Sequence, residues 1–360
     1  MRIRILDRYL MREFSGPFLF CIFGFTIVLL TGLLFQLSDM IFVNDVPVLT
    51  VSKLLLYGIP EAAVSTVPVA CLFATLLAVG RIVQDNEMTV LRASGVSYPR
   101  LVLPILFLGL VASVLTFLAS EHIVPAANRK FENIVRQIVF SEGVPIVDEK
   151  VFFHGGEDRY FYIEEVDRKT NELKNVLVWE VDRGGFPRVI SAKSGIFQER
   201  NWVLLDGVAQ ELDDEGFVAY ESRFQRLEIV TEEPGEVYFG SQRTVSEMNR
   251  RELATYIARF QRSGLKVLSF VVDYHMKLSL PMACLVLALF GAPLALRGKG
   301  GRSFGIVVSL VVMLFYYISV AISRSLGMNE FLPPLVAAWI VNIIFALAGF
   351  VLLREADKLR

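Results

Sequence analysis

Few side chains in this sequence are suited to covalent chemistry. The 360 residues hold three histidines, His122, His154 and His275, and three cysteines, Cys21, Cys71 and Cys284. His154 with Glu157 and Asp158 suggests a metal site, but a glycine-rich turn with scattered polar residues accounts for the cluster better. Each cysteine lies in an apolar run, which argues against a disulfide framework or a thiolate metal site. The sequence has no G-x-x-x-x-G-K-[ST] phosphate loop, no H-E-x-x-H and no G-x-S-x-G. Gly298-Lys-Gly-Gly-Arg-Ser303 is basic and glycine-rich, but its spacing is wrong and it reads as a turn between two apolar runs. Energetic work by this chain would therefore draw on another chain or on an ion gradient.

Charges inside or against apolar runs are costly and are functional candidates by default. Glu61 follows Pro60 within one such run. Asp273 and Lys277 stand four apart at the start of another, so they can pair on one helical face. The structural alternatives are a polar residue at the mouth of a span for Glu61, and interfacial anchoring beside Tyr274 and His275 for the pair. Two acids are too few for a proton relay. The stretch 80–95 says more: Asp85 and Glu87 precede a helix-compatible Met88-Thr-Val-Leu-Arg92, and Ser94-Gly95 ends it. That pattern predicts a short exposed helix lying across a membrane surface, with acid at its positive end. A solvated charged loop is the alternative.

Composition supplies the frame. The chain has 36 Lys+Arg against 37 Asp+Glu, 54% hydrophobic and 20% charged residues, and a mean hydropathy of +0.52. A soluble domain would carry about 45–50% apolar and about 25% charged residues. An ordinary soluble globule and a disordered chain are both excluded, and a near-neutral net charge gives no argument for nucleic acid. Six apolar runs, 16–37, 54–79, 101–120, 278–296, 304–322 and 333–353, match the ~20 residues that cross a bilayer as helix. Arg2, Arg4, Arg8 and Arg12 precede the first run, Arg81, Arg92 and Arg100 join the second and third, and Arg297, Lys299 and Arg302 join the fourth and fifth. Arg354, Lys358 and Arg360 follow the sixth. All four basic regions fall on one side of six spans, which puts both termini in the cytoplasm. Arg4, Arg8 and Arg12 recur every four residues, as in an interfacial helix on anionic headgroups; bases that only set topology would look the same. The start is not a cleaved signal peptide, because its apolar run is too long.

Between 121 and 264 the chain changes character. A helix-like stretch at 128–140 leads into short strands at 160–163, 176–179, 189–191, 202–205 and 224–230, separated by turn residues. Their spacing predicts a small sandwich, jelly roll or open barrel, able to bind a ligand in its groove or to add strands to a partner. Tyr162 and Trp179 are positions on those strands. The stretch 246–261 reads as helix, started by Ser246-x-x-Asn249.

Taken together, these segments resemble a known family. Arg81-x3-Asp85-x-Glu87-x4-Arg92-Ala-Ser-Gly-Val-Ser97 is similar to the coupling-helix signature of the LptF/LptG (YjgP/YjgQ) lipopolysaccharide export permeases. Tyr274-His-Met-Lys-Leu-Ser-Leu-Pro-Met-Ala-Cys-Leu-Val-Leu-Ala-Leu-Phe-Gly-Ala-Pro-Leu294 is similar to their fourth span, Leu6-Asp-Arg-Tyr-Leu10 to their N-terminus, and Val124-Pro-Ala-Ala-Asn128 to the stretch after their third span. The resemblance covers essentially the whole chain. It implies a membrane α-helical bundle of six transmembrane helices with an inserted extracytoplasmic all-β jellyroll-like domain. Transmembrane helices 1–3 would occupy 1–120, with a coupling helix near 82–94; the periplasmic domain and its helical connectors, 121–265; helices 4–6, 266–360.

The same resemblance implies a non-catalytic half-transporter of an ABC-type complex in the inner membrane of a Gram-negative bacterium. Its partners would be a second LptF/LptG-type chain, an LptB-type ATPase dimer and LptC/LptA-type periplasmic bridge proteins, with lipopolysaccharide as cargo and no nucleic acid. This chain would carry no cofactor, and ATP-Mg would belong to the ATPase. Glu87 would enter the ATPase groove, flanked by Asp85 and Arg92. Arg129, Lys130, Arg136, Arg262 and Lys266 are candidates for lipid phosphates. Phe18, Phe20, Phe25 and Leu33 of the first span, with Val307, Leu310, Phe315 and Tyr316 of the fifth, are candidates to line an acyl cavity; lipid contact or helix packing explains any single one as well. The chain departs from familiar members at Leu33-Leu-Phe-Gln-Leu-Ser-Asp39, which lacks the base expected near the outer end of the first span. Phosphate recognition then differs or rests with the partner chain. The Leu-Asp-Arg-Tyr start leans to the LptG side. Two other readings are a membrane-anchored scaffold whose β domain recruits a periplasmic partner without transport, and an ion-driven transporter using Glu61 and Asp273, for which paired discontinuous spans are missing.

Overall fold

The computed structural model describes residues 5–42, 46–141, 151–154, 159–167, 172–180, 188–198, 201–212, 217–230, 244–262, 267–297 and 301–358. It divides into two compact units, one made of Met1–Asn128 with Met248–Arg360, the other of Arg129–Glu247.

The first unit is helical. In chain order its described helices are α1 (Ile5–Phe42), α2 (Val48–Gln84), α3 (Glu87–Ala93) and α4 (Tyr98–Leu118). A π-helical turn (Ala119–Ile123) then leads into α5 (Val124–Ser141), which belongs to the second unit from Arg129 onward. After the insertion come α6 (Arg250–Arg262), α7 (Leu268–Arg297), α8 (Gly301–Met328) and α9 (Pro334–Lys358). Six helical stretches are long and apolar enough to cross a membrane. They are helices because lipid leaves no solvent partner for backbone groups, so each N–H must be satisfied within its own segment. The first span is one unbroken helix from Ile5, and no separate interfacial helix precedes it among the described residues.

Lipid tails are as apolar as leucine, so packing between spans rests on close fit. Cys71, Leu72 and Leu76 of α2 interlock with Ala283, Cys284, Leu287 and Ala288 of α7, and with Ile105 and Ala112 of α4. Small residues permit the approach: a Cβ on Gly349 would stand 3.0 Å from the backbone of Phe290, and one on Gly109 would stand 3.1 Å from Cβ of Ala288. A buried polar chain joins α7, α8 and α9. Tyr316 donates its hydroxyl to Asn342 Oδ1 at 2.9 Å, and Asn342 Nδ2 donates to the Ser279 carbonyl at 2.7 Å and to its Oγ at 2.9 Å. Ser279 in turn donates to the Ala338 carbonyl.

The second unit carries one antiparallel sheet of six strands, in which sheet neighbours are chain neighbours throughout. The strands are β1 (Val151–His154), β2 (Arg159–Asp167), β3 (Glu172–Glu180), β4 (Arg188–Gln198), β5 (Asn201–Leu212) and β6 (Val218–Val230). Phe161 of β2 stacks on Trp202 of β5 with ring centroids 4.6 Å apart. A flat sheet would hold those strands about 14 Å apart, three spacings of 4.7–4.9 Å, so the sheet curls over its apolar face.

The curl has a local cause. Positions 164, 175, 193, 206 and 225 lie in line across β2 to β6, and the ladder is unpaired along that line. Two of them have left-handed backbone, Asn175 at φ 50° and Asp206 at φ 50°. Asn and Asp tolerate that conformation better than other residues with a Cβ. The line resets the alternation, so that Leu173 and Val176, and likewise Leu204 and Gly207, are buried on the same face.

Candidate functional site

The candidate site is the connection between α2 and α4. The chain leaves α2 through Asp85, turns at Asn86 with φ 59°, forms α3 and leaves it at Gly95 with φ 88°. The exit is a Schellman motif: Val96 N–H donates to the Leu91 carbonyl at 3.2 Å and Gly95 N–H to the Arg92 carbonyl at 2.9 Å. Two left-handed residues thus bracket a helix of seven residues. Met88 roots it in the core beside Leu10, Phe14, Ile82 and Leu101. Thr89, Val90, Ala93 and Ser94 are exposed, with Val90 at 68%.

The three residues expected to meet the ATPase each have a partner of their own. Asp85 accepts from Arg81 Nε at 3.4 Å. Half-buried Glu87 accepts the phenol of Tyr9 at 2.6 Å. Arg92 donates to Tyr98 Oη at 2.9 Å and lies 4.2 Å over its ring. Sequence reasoning missed the contribution of α1: besides Tyr9, Glu13 pairs with Arg81 and Asp7 with Arg100 at 2.7 Å. The available signal was the spacing of Asp7, Leu10 and Phe14, which places all three on one helical face.

At the other end of the bundle, Glu61 accepts from Asn128 Nδ2 at 3.0 Å. Asp273, which the spacing allowed to pair with Lys277, makes a two-pronged pairing with Arg324 of α8 instead of a hydrogen bond to that lysine, at 2.9 and 3.1 Å. A planar guanidinium matches both carboxylate oxygens, which an ammonium cannot do. Helix α6 starts at Arg250, later than the sequence suggested, because the cap is a box formed by Asn249 and Glu252. Glu252 N–H donates to Asn249 Oδ1 and Asn249 N–H to Glu252 Oε2, both at 2.9 Å.

In the second unit, two of the phosphate candidates serve a buried acid. Arg136 donates to Glu247 Oε1 at 2.6 Å and Oε2 at 3.4 Å, and Arg129 donates to the Glu247 carbonyl at 2.9 Å. Thr244 N–H adds a bond to the same carboxylate at 2.9 Å. Lys130 is exposed. The side chain of Arg262 and the whole of Lys266 lie outside the described residues, as do Glu157 and Asp158. Tyr162 and Trp179 stand on the strand face opposite the buried Phe161, Ile163 and Val178. Burial pushes the Tyr162 phenol up, with the charge of Glu164 adding to it.

The family model for the lipopolysaccharide export system permease LptF/LptG matches residues 8–355, the six spans and the sheet included. The chain belongs to the LptF/LptG family. It is similar to the lipopolysaccharide export system permease protein LptF of Escherichia coli strain K12, with 20% identity over 97% of this chain and 94% of that protein. The LptF proteins of Escherichia coli O157:H7 and Shigella flexneri match to the same extent. These relatives carry the LptF name, whereas the N-terminal motif leans to LptG.

As a family permease, the chain is a multi-pass membrane protein whose least buried spans are α1 and α8. Of the acyl-cavity candidates on those helices, Phe20, Val307, Leu310 and Phe315 are exposed. The others face helix packing. Phe18 stacks on Phe14 at 5.3 Å, Phe25 meets Phe73 edge-on at 5.1 Å, Leu33 packs on Gly58, and Tyr316 is buried in the polar chain. Phe315 also lines an entirely apolar groove of about 320 Å³ with Phe290, Val311, Val312, Ile344, Phe345 and Ala348.

Proposed function

We propose that this chain is one transmembrane half of an ABC-type lipopolysaccharide exporter. It pairs with a second LptF/LptG-type chain, and an LptB-type ATPase dimer that binds ATP-Mg docks on α3. Both termini and α3 face the cytoplasm of a Gram-negative cell, the spans lie in its inner membrane, and the β domain is periplasmic. The bases Arg81, Arg92 and Arg100 around α3 support that orientation.

The observation that carries the reading is the build of α3: a short helix with an exposed face, rooted by Met88 and framed by Asn86 and Gly95. Helix α2, which leads into it, is 37 residues long, about 55 Å at 1.5 Å per residue. Closure of the ATPase displaces α3, the displacement travels along α2 and α4, and the cavity between the two permease chains narrows. Lipid leaves towards the β domain and then an LptC/LptA-type bridge. This chain contributes no catalytic residue; it binds, couples and guides.

Glu87→Ala tests the assignment. The expected outcome is an assembly that loses its ATPase or hydrolyses ATP without releasing lipid, while the thermal midpoint of the permease stays near the parent value. Unchanged ATP-dependent lipid release would refute the role of α3.

A further inference from the structure

The first three turns of α1 reach every segment of the connection that carries α3. Glu13 pairs with Arg81 in the last turn of α2. Tyr9 donates to Glu87 at the start of α3, at 2.6 Å. Asp7 pairs with Arg100 in the first turn of α4, at 2.7 Å. Beneath these bonds Leu10 and Phe14, each 2% exposed, pack in the cluster that holds Ile82, Met88 and Leu101. Arg8 and Arg12 point away and are exposed. The inward face is thus acidic and aromatic, complementary to the arginines that end α2 and begin α4.

These contacts differ from ordinary surface pairs. The Asp7 side chain is 8% exposed, so loss of its partner Arg100 would leave a buried charge. The Tyr9 phenol meets a carboxylate at 2.6 Å, within the range for a charge-assisted bond. Arg81 bridges Glu13 and Asp85, which links α1 to the entry of α3 as well. Helix α1 then runs unbroken to Phe42. The chain path from α3 back to α1 passes through the whole of α2, whereas the path through Tyr9 is a single hydrogen bond.

We propose that the N-terminal turns of α1 are a clamp on the α3 connection. Tyr9 acts in it as a positioning residue that holds Glu87 and delivers any displacement of α3 directly to the first span. The first, second and third spans are then driven together. This rests on the proposed docking of an ATPase on α3.

The test uses the complete complex, two permease chains with the ATPase, in nanodiscs loaded with lipopolysaccharide. The readout is lipid released per ATP hydrolysed, at equal ATPase content. Tyr9→Phe keeps the ring and removes the donor, and is expected to lower that ratio several-fold. Glu13→Arg is expected to do the same, and Glu13→Arg combined with Arg81→Glu to recover it. Parent-like ratios for Tyr9→Phe and Glu13→Arg overturn the clamp and leave the docking reading standing. Absence of any ATPase from the parent complex overturns both. Should Glu13→Arg fail to assemble, the charge swap decides: assembly regained with coupled release supports the clamp, and assembly regained without it refutes it.

Discussion

The carboxylate of Glu121 accepts the backbone N–H of Arg250 with both oxygens, at 3.0 and 3.2 Å, across 129 residues of chain. Glu121 stands in the π-helical turn after α4, and Arg250 opens α6. A π turn carries one residue more per hydrogen-bonded ring than an α turn, and such turns are frequent at functional sites. Here the departing and returning segments of the helical unit are joined by an acid on the positive end of a helix. The side chain of Arg250 adds a contact 4.5 Å over the ring of Tyr274.

Glu121→Ala is therefore expected to loosen α6. The loss is about 1 kcal/mol, the usual scale for a removed N-terminal cap, and Glu121→Gln should lose less because its carbonyl still accepts. Amide hydrogen exchange of 250–255 reads this directly. Parent-like protection in the alanine variant would mean that the Asn249 and Glu252 box suffices alone.

Arg136 was a phosphate candidate on sequence, and its observed partner predicts a different phenotype. Its side chain is 13% exposed and that of Glu247 2%. Arg136→Gln breaks a buried pair and should destabilise its surroundings by roughly 3–5 kcal/mol. Limited proteolysis of the 129–138 stretch should accelerate before any loss of lipid affinity appears. A variant with native protease resistance and weakened lipid binding would support the phosphate role instead.

Gly207 sits on β5 beside the unpaired line of the sheet. A Cβ there would lie 2.2 Å from the Phe224 ring and 2.5 Å from the Ser191 carbonyl. Gly207→Ala must push Phe224 aside or open the ladder, at a cost of about 1–3 kcal/mol. The thermal midpoint of the β domain should fall, and pairing the change with Phe224→Leu should recover part of the loss. No shift in the single variant would mean that both the Phe224 ring and the Ser191 carbonyl give way freely.

Much of this architecture was legible in the residues. Six apolar runs read as spans because length and polarity alone decide that question, and the strands after 160 announced themselves by turn residues and β-branched side chains. Helix ends were less legible. The spacing of Asp7, Leu10 and Phe14 marks one face of α1, but the partners that Asp7, Tyr9 and Glu13 find on α4, α3 and α2 lie 68 to 93 positions away, beyond any local pattern. The partner of Asp273 is Arg324, 51 positions away, so a spacing rule pointed to Lys277 instead. The cap of α6 was in plain view as Asn249-x-x-Glu252, yet Ser246 competes as a capping residue. Asn175 and Asp206 look ordinary inside a strand, and only the alignment of five strands reveals that they crease the sheet.

The hydrogen-bonded chain of Tyr316, Asn342 and Ser279 restricts how the bundle can rearrange. Sliding α9 along its neighbours by one helical repeat, about 5.4 Å, would strand the Asn342 amide in hydrocarbon, where no water waits to replace what it left. The three helices that share these bonds can lean as one plank, but they cannot ratchet past one another.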